Sequence, residues 1–152
     1  MGAVFFYHLT RRPLEVTLPM LLDKSLQAGW RVYVRGPDLD QLAKLDEALW
    51  LGGGDAAFLP HGLAGGAHDA DQPILLGADK PSNGATCLMS ICGAELSVDE
   101  VNQAERCCIL FDGNNESAVA HARVQWKVMV DANCSAQYWA EADGNWQKMA
   151  ES

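Results

Sequence analysis

Dense apolar runs alternate with helically spaced apolar residues along the first third of the chain. Ala3–Leu9 and Trp30–Arg35 are runs of β-forming residues, which predict two buried strands. The segment Pro13–Ala28 between them has leucines at helical spacing and predicts a helix. Pro19 interrupts that pattern and favours a helix start near Thr17, because proline lacks the amide hydrogen that a helix interior uses.

A second helix is predicted after the turn Gly36–Asp38, in which Asp38 supplies the helix cap. The order strand, helix, strand, helix favours a parallel sheet with crossover helices. The apolar positions of this second helix recur at helical spacing: Leu39, Leu42, Leu45, Ala48 and Leu49.

The rest of the chain is predicted to add four strands, two helices and a C-terminal hairpin. His61–Gly66 is expected to be a loop, and Asp143–Gly144 is expected to form the turn of the hairpin. We therefore predict one α/β domain over residues 1–152, with an open, mostly parallel sheet and helices on both faces. The other predicted elements are the strands Ala57–Pro60, Gln72–Gly77, Thr86–Ile91 and Arg106–Phe111, a short helix over Ser97–Glu105, and a helix running from caps at Asn114–Ser117 to about Asn133.

The last predicted helix carries two cations and an indole on one face, in a chain that is otherwise acidic. Arg123, Trp126, Lys127 and Val130 lie at positions i, i+3, i+4 and i+7, which places them on one stripe. Such a stripe suits an anionic peptide with an apolar end and is a poor start for a catalytic centre. The alternative interpretation is a core tryptophan flanked by solvated charges.

The net charge of the 152-residue chain is −9, which argues against direct binding along nucleic acid. Affinity for a phosphate backbone comes from Lys and Arg that displace counterions. An anionic partner must therefore meet a local basic patch. With 49% apolar residues, the chain is able to bury a core.

The five cysteines form no CxxC pair and have no patterned spacing. We predict reduced thiols that act as small buried hydrophobes rather than zinc ligands. The sequence has no basic segment before its first apolar run and no apolar run of the ~18 residues that a bilayer span needs. We therefore expect a cytoplasmic protein without a bound metal. The cysteines are Cys87, Cys92, Cys107, Cys108 and Cys134.

Motifs that would carry catalysis or nucleotide binding are missing from the sequence. A nucleotide-binding fold places a glycine-rich loop after its first strand, whereas here His8–Pro13 contains no glycine. The run Gly52–Gly54 is not followed by Lys-Ser or Lys-Thr, and neither GxSxG nor HExxH occurs. His8 lies at the carboxyl end of a predicted strand, where a partly buried, hydrogen-bonded ring is favoured over catalysis. Asp46 and Glu47 are explained by a solvated helix face. We predict no catalytic residues and no cofactor.

Several segments, in their order and spacing, resemble the chi subunit of bacterial DNA polymerase III. The resemblance covers nearly the whole chain. It implies a Rossmann-like α/β fold without nucleotide binding. The segments that carry it are Phe5–Leu9, Leu45–Trp50, Phe58–Gly65, Gln72–Leu76, Arg123–Lys127 and Tyr138–Lys148.

The resemblance implies a non-catalytic accessory subunit on the clamp-loader side of the replicase. Such a subunit binds the acidic C-terminal tail of single-stranded DNA-binding protein, and the tail-binding residues carry over to Arg123, Trp126 and Lys127, with Val130 adding apolar surface. One departure is that Val119 stands where some members carry a further basic residue. This departure is expected to weaken tail binding.

The resemblance also implies a second surface, which binds the psi subunit. Its residues carry over to Trp50, Phe58, Pro60 and His61. A tryptophan at a helix end before a glycine loop suits an exposed anchor, and the alternative is a contact that caps the core. The rival hypotheses for the whole chain are a small α/β enzyme or nucleotide-binding protein that uses His8 or the glycine-rich loops, and a protein that binds bare single-stranded DNA.

Overall fold

The chain forms one eight-stranded sheet with helices packed against both faces. This is seen in a computed structural model, which describes residues 3–10, 14–51, 61–65, 69–78, 80–142 and 145–151. The strands are β1 (Ala3–Leu9), β2 (Val32–Arg35), β3 (His61–Leu63), β4 (Ile74–Gly77), β5 (Cys87–Ser90), β6 (Arg106–Asp112), β7 (Ser135–Ala142) and β8 (Asn145–Glu151), and the helices are α1 (Leu14–Gln27), α2 (Leu39–Leu51), α3 (Val98–Gln103) and α4 (Glu116–Asp131).

The order of strands across the sheet is β3-β4-β2-β5-β6-β1-β7-β8. Every neighbouring pair is parallel except β7 and β8, which form an antiparallel hairpin with an irregularity between Tyr138 and Trp139. The predicted fold class is therefore confirmed. The predicted turn of the hairpin, Asp143–Gly144, lies outside the described residues.

The sheet separates two hydrophobic cores, because successive residues of a strand point to opposite faces. Cys108 belongs to the core on the α1–α2 face, and its neighbour Cys107 belongs to the core on the α3–α4 face. The first core also buries Leu18 and Leu22 of α1, and the second buries Val101 of α3. The apolar runs of the central strands are thus explained by burial on both sides.

Strand β3 corrects the prediction that His61–Gly66 is a loop. His61–Leu63 forms a short edge strand, which pairs in parallel with β4 so that His61 faces Ile74. Hydrogen bonding to an existing strand here outweighs the low strand propensity of Gly62. The strand predicted over Ala57–Pro60 lies outside the described residues.

Helix α1 contains Pro19 in its interior, so the predicted start near Thr17 is wrong. The helix begins at Leu14, and Pro13 lies outside the described residues. Pro19 is the sixth residue of the helix and removes only the bond to the carbonyl of the first turn. Burial of the leucine face behind it offsets that loss.

Helix α2 begins at its predicted cap, where the Asp38 carboxylate accepts a hydrogen bond from the amide of Asp40 at 2.9 Å. Leu42 and Leu45 are buried as expected. Leu39 is 70% exposed, which is a correction to its predicted place on the apolar face. Leu39 is the first residue of α2, at the helix end rather than among the turns that contribute Leu42 and Leu45 to the core.

The five cysteines, all within the described ranges, form no disulfide, and four of them are buried as predicted. Cys92 is exposed, so its interpretation as a buried hydrophobe is wrong. It lies in the turn after β5, outside the strand, with a left-handed backbone (φ 54°). Among the helices that the structure describes, none has the length and apolar character to cross a membrane.

Candidate protein-binding surface on helix α4

Helix α4 is fixed at its start by Asn115. The Asn115 side chain accepts hydrogen bonds from the amides of Ser117 (3.0 Å) and Ala118 (3.1 Å), which satisfies two amides that have no partner within the helix. The helix then runs for 16 residues and packs on β6, β1 and β7. The predicted cap region and helix are therefore confirmed.

The face of α4 that packs on the sheet includes Ala122 and Met129, each 1% exposed, as predicted. Ala118 is half-buried against the same core. Gln125 was not predicted on this face, but it is 7% exposed, and its amide nitrogen donates to the carbonyl of Ala94 at 3.4 Å. A polar residue is tolerated here because the carbonyl satisfies it.

Trp126 is half-buried at the border between the packed face and solvent. Its indole meets Phe6 edge-on with ring centroids 5.3 Å apart, and it meets Tyr138 in the same manner at 6.1 Å. Such edge-to-face contacts hold the ring in one orientation. Val130 is half-buried beside it, so this side of α4 presents a fixed apolar border rather than mobile side chains.

Arg123 and Lys127 are both exposed on α4. Neither makes a salt bridge or a side-chain hydrogen bond to another residue in the described ranges, although the chain carries a net charge of −9. Together with Trp126 and Val130 they form the α4 stripe, which has two unpaired cations next to a fixed apolar border.

Two neighbours of this stripe, Tyr138 of β7 and His8 of β1, were not predicted as part of it. The His8 Nδ1 atom and the Tyr138 hydroxyl oxygen are 2.5 Å apart. Burial raises the pKa of the Tyr138 hydroxyl above its ordinary value, while the positive charge of Arg123 lowers it. The prediction that His8 is partly buried and hydrogen-bonded is confirmed. Tyr138 comes beside α4 only because β7 pairs with β1, with Tyr138 opposite Phe6.

Two valines on α4 were also missed, Val124 and Val128, which are 62% and 49% exposed. They lie four residues apart, on the far side of the two cations from Trp126. Their spacing in the sequence was sufficient to predict their exposure. A valine on the side of α4 opposite Ala122 faces away from the sheet.

Of the residues assigned to a psi-binding surface, the structure describes His61 in full. Its ring is buried, with Nε2 at 3.2 Å from both the carbonyl oxygen and a carboxylate oxygen of Asp46. Asp46 therefore supports β3 and is not a solvated surface carboxylate, which corrects its interpretation. Trp50 lies in α2, nothing is described of its side chain, and Phe58 and Pro60 lie outside the described residues.

An open cavity of about 850 Å³ lies where β1 and β6 end against the start of α4. α/β enzymes commonly bind ligands at this place. Here the amides of Ser117 and Ala118 at the start of α4 are already bonded to Asn115, which also lines the cavity, so these two amides are occupied. Within the part of the chain that the structure describes, no group of three His, Cys, Asp or Glu residues is arranged to hold a metal ion.

The fold and this geometry define an α/β protein in which α4 presents a charged and apolar surface stripe. Residues 1–137 match the family described as DNA polymerase III chi subunit, HolC, and the chain belongs to that family. No curated protein sequence matches it. The predicted resemblance is thereby confirmed.

Membership of the family makes the chain an accessory subunit of DNA polymerase III in DNA replication. The chi subunit is non-catalytic, so the prediction that the chain is not itself an enzyme is confirmed by the family. The rival hypothesis of a small α/β enzyme loses its basis for the same reason.

Proposed function

We propose that this chain binds the acidic C-terminal tail of single-stranded DNA-binding protein through the α4 stripe. A second surface near the end of α2 binds the psi subunit and so connects the chain to the clamp loader. Both contacts are made in the cytoplasm. The chain then acts as a tether between the replicase and protein-coated single strands, without chemistry of its own.

The observation that carries the tail-binding proposal is the state of Arg123 and Lys127. Both cations are exposed and have no carboxylate partner among the described residues, in a chain with 20 acidic residues against 11 basic ones. An unpaired pair of cations on one face of a regular helix gives a local positive potential that favours an anionic partner. Arg123 and Lys127 lie about 6 Å apart along the helix axis. This is close to the distance of about 6.7 Å between alternate carboxylates on one side of an extended peptide.

The apolar part of the stripe suits the aromatic residue that ends such a tail. Trp126 is held by Phe6 and Tyr138, so a ring that packs against it meets a surface that is already ordered. Arg123 is able to fork a carboxylate, and Lys127 supplies a point charge. A contact of this size is expected to bind near micromolar, at about −8 kcal/mol.

The tether works through effective concentration more than through the strength of one contact. Val119 stands where some family members carry a further cation, and Glu116 lies at the start of the same helix. Both features favour weaker tail binding by this chain. A weak contact on a tether still shifts the population of bound replicase when many tails are present.

The proposed psi-binding surface has Trp50, Phe58 and Pro60 as contact residues and His61 as a supporting residue. His61 is buried and bonded to Asp46, which supports a role in fixing the start of β3 rather than in direct contact with psi. Trp50 at the end of α2 is the proposed anchor, because aromatic anchors dominate binding energy at interfaces. Retention of psi on immobilised protein, lost in Trp50→Ala but kept in Lys127→Glu, is the expected result.

The tail-binding proposal is tested by fluorescence anisotropy with a labelled peptide that copies the acidic C-terminus of the host's single-stranded DNA-binding protein. We expect micromolar binding that weakens with salt and disappears when the terminal aromatic residue is deleted. Lys127→Glu should abolish binding. Lys44→Glu is the matched control, because it makes the same charge change at an exposed position of α2, on the opposite face of the sheet.

Loss of binding in both charge-reversed variants would show only a net-charge effect and would contradict the assigned site. Absence of binding by the unmodified protein at high micromolar concentration would overturn the tail-binding proposal. The psi-binding surface would then be the remaining proposed contact of this chain.

A further inference from the structure

A hydroxyl that the sequence did not predict, that of Tyr138 on β7, lies beside the α4 stripe. Tyr138 lies edge-on to Trp126, with ring centroids 6.1 Å apart. Arg123 is one turn before Trp126 on the same side of the helix. The charge of Arg123 also reaches the Tyr138 hydroxyl, since it lowers the pKa of that group against the raising effect of burial.

The His8 ring holds this hydroxyl in place. Its Nδ1 atom lies 2.5 Å from the Tyr138 oxygen, and its ring packs against Phe111 at a centroid distance of 5.1 Å. On its other side the ring fills the space next to Gly113, where an added Cβ would overlap it. The imidazole is therefore enclosed by Tyr138, Phe111 and the backbone at Gly113.

Resting on the tail-binding function proposed above, we propose that the Tyr138 hydroxyl is a second hydrogen-bond donor, beside Arg123, for the free α-carboxylate at the end of the acidic tail. His8 is the positioning residue. When its Nδ1–H donates to the Tyr138 oxygen, the phenolic hydrogen is free to point to the carboxylate. The two donors would then be shared between the two oxygens of that carboxylate.

The experiment compares two versions of the tail peptide, one with a free C-terminal carboxylate and one with a C-terminal amide. Tyr138→Phe keeps the ring and removes only the hydroxyl. It should weaken binding of the free-acid peptide about five- to tenfold, as for a lost hydrogen bond to a charged group, and should change binding of the amide less than twofold. His8→Phe should give a smaller loss, of about twofold, for the free acid alone.

Tyr7→Phe is the matched control. It removes a hydroxyl from the neighbouring strand on the opposite face of the sheet, where Tyr7 packs against Trp146, and it should leave both affinities unchanged. Equal losses for the two peptides in Tyr138→Phe, or no loss for either, would overturn the inference. If Lys127→Glu still abolishes binding in that case, the tail-binding proposal stands without it. If the unmodified protein binds neither peptide, the result contradicts both the tail-binding proposal and the role of Tyr138.

Discussion

Two arginines, Arg35 and Arg123, are used in opposite ways by this molecule. Arg35, at the end of β2, is 9% exposed and grips the carboxylate of Glu100 with two hydrogen bonds, at 2.8 and 2.6 Å. It also donates to the carbonyl of Glu95 at 3.0 Å. Arg123 is exposed and has no such partner in the described ranges.

The difference shows where the chain uses charge for folding and where it leaves charge for a partner. Glu100 also closes the capping box of α3 with Ser97, so the Arg35 pair connects a strand end to a helix start. The pair is partly buried, with Glu100 26% exposed, so removing one partner leaves the other charge desolvated without compensation. An exposed cation costs little in either state, which leaves Arg123 available for binding.

The largest change, in the free energy of unfolding, is expected when the pair between Arg35 and Glu100 is broken. Glu100→Ala leaves Arg35 without its carboxylate and should lower the free energy of unfolding by about 2–4 kcal/mol. Urea denaturation measures this change. Glu47→Ala, at an exposed position of α2, is the control and should stay within ~0.5 kcal/mol. A loss as small as the control's would mean that α3 does not depend on the pair.

Removing the other arginine should affect binding and spare stability. Arg123→Ala is expected to weaken binding of the acidic tail peptide by about 1.5–3 kcal/mol, as for a lost charged hydrogen bond. Its free energy of unfolding should change by less than ~0.5 kcal/mol. Calorimetric titration and urea denaturation of the same preparation check both parts. An affinity loss of only a few tenths would demote Arg123 to a bystander.

The stabilisation from the pair between Arg35 and Glu100 should be lost in acid. The hydrogen bonds from Arg35 lower the pKa of Glu100 from 4.5 to about 2 in the folded protein. The stabilisation is therefore present above the unfolded pKa and is lost as the pH falls through the folded pKa. Between pH 4.5 and about 2, the stability advantage of the unmodified protein over Glu100→Gln should shrink. An advantage that stays constant over this range would contradict the assignment.

The smallest expected effect is that of salt, which should weaken the contact made by Arg123 more than the pair made by Arg35. Raising the salt concentration from about 50 to about 300 mM should weaken tail binding by about threefold or more, because exposed charges are screened. The stability difference between the unmodified protein and Glu100→Ala should barely move, since partly buried pairs are screened less. Equal salt sensitivity of both would mean that the Arg35 pair is effectively solvated.

The sequence predicted most of the fold because local and global signals agree in it. The run Ala3–Leu9 gives β1 with the bounds seen, and the Ser97 and Glu100 capping box marks a short helix that propensity alone leaves weak. The failures are tertiary. β3 forms by pairing with the edge of β4, and Leu39 at the start of α2 is exposed although its spacing places it on the apolar face.

In the candidate site, too, the sequence pattern located some residues and missed others. Helical periodicity was enough to place Arg123, Trp126 and Lys127 on one stripe. It gave no means to find Tyr138, whose place depends on the register of β7 against β1, or His8, which reaches Tyr138 across 130 residues of sequence. Residues that a sheet brings together from distant segments leave no local signal.

β1 lies inside the sheet with a neighbour on each side, which affects how the protein is made. Val4 is in register with Cys107 and Ala136, so β1 is synthesised before either of the strands that flank it, and both follow it by more than 100 residues. At about 5–20 residues per second, that strand waits on the order of ten seconds with both edges open. For that interval its apolar side chains and open edges favour association with other nascent chains, which a chaperone bound to β1 would prevent.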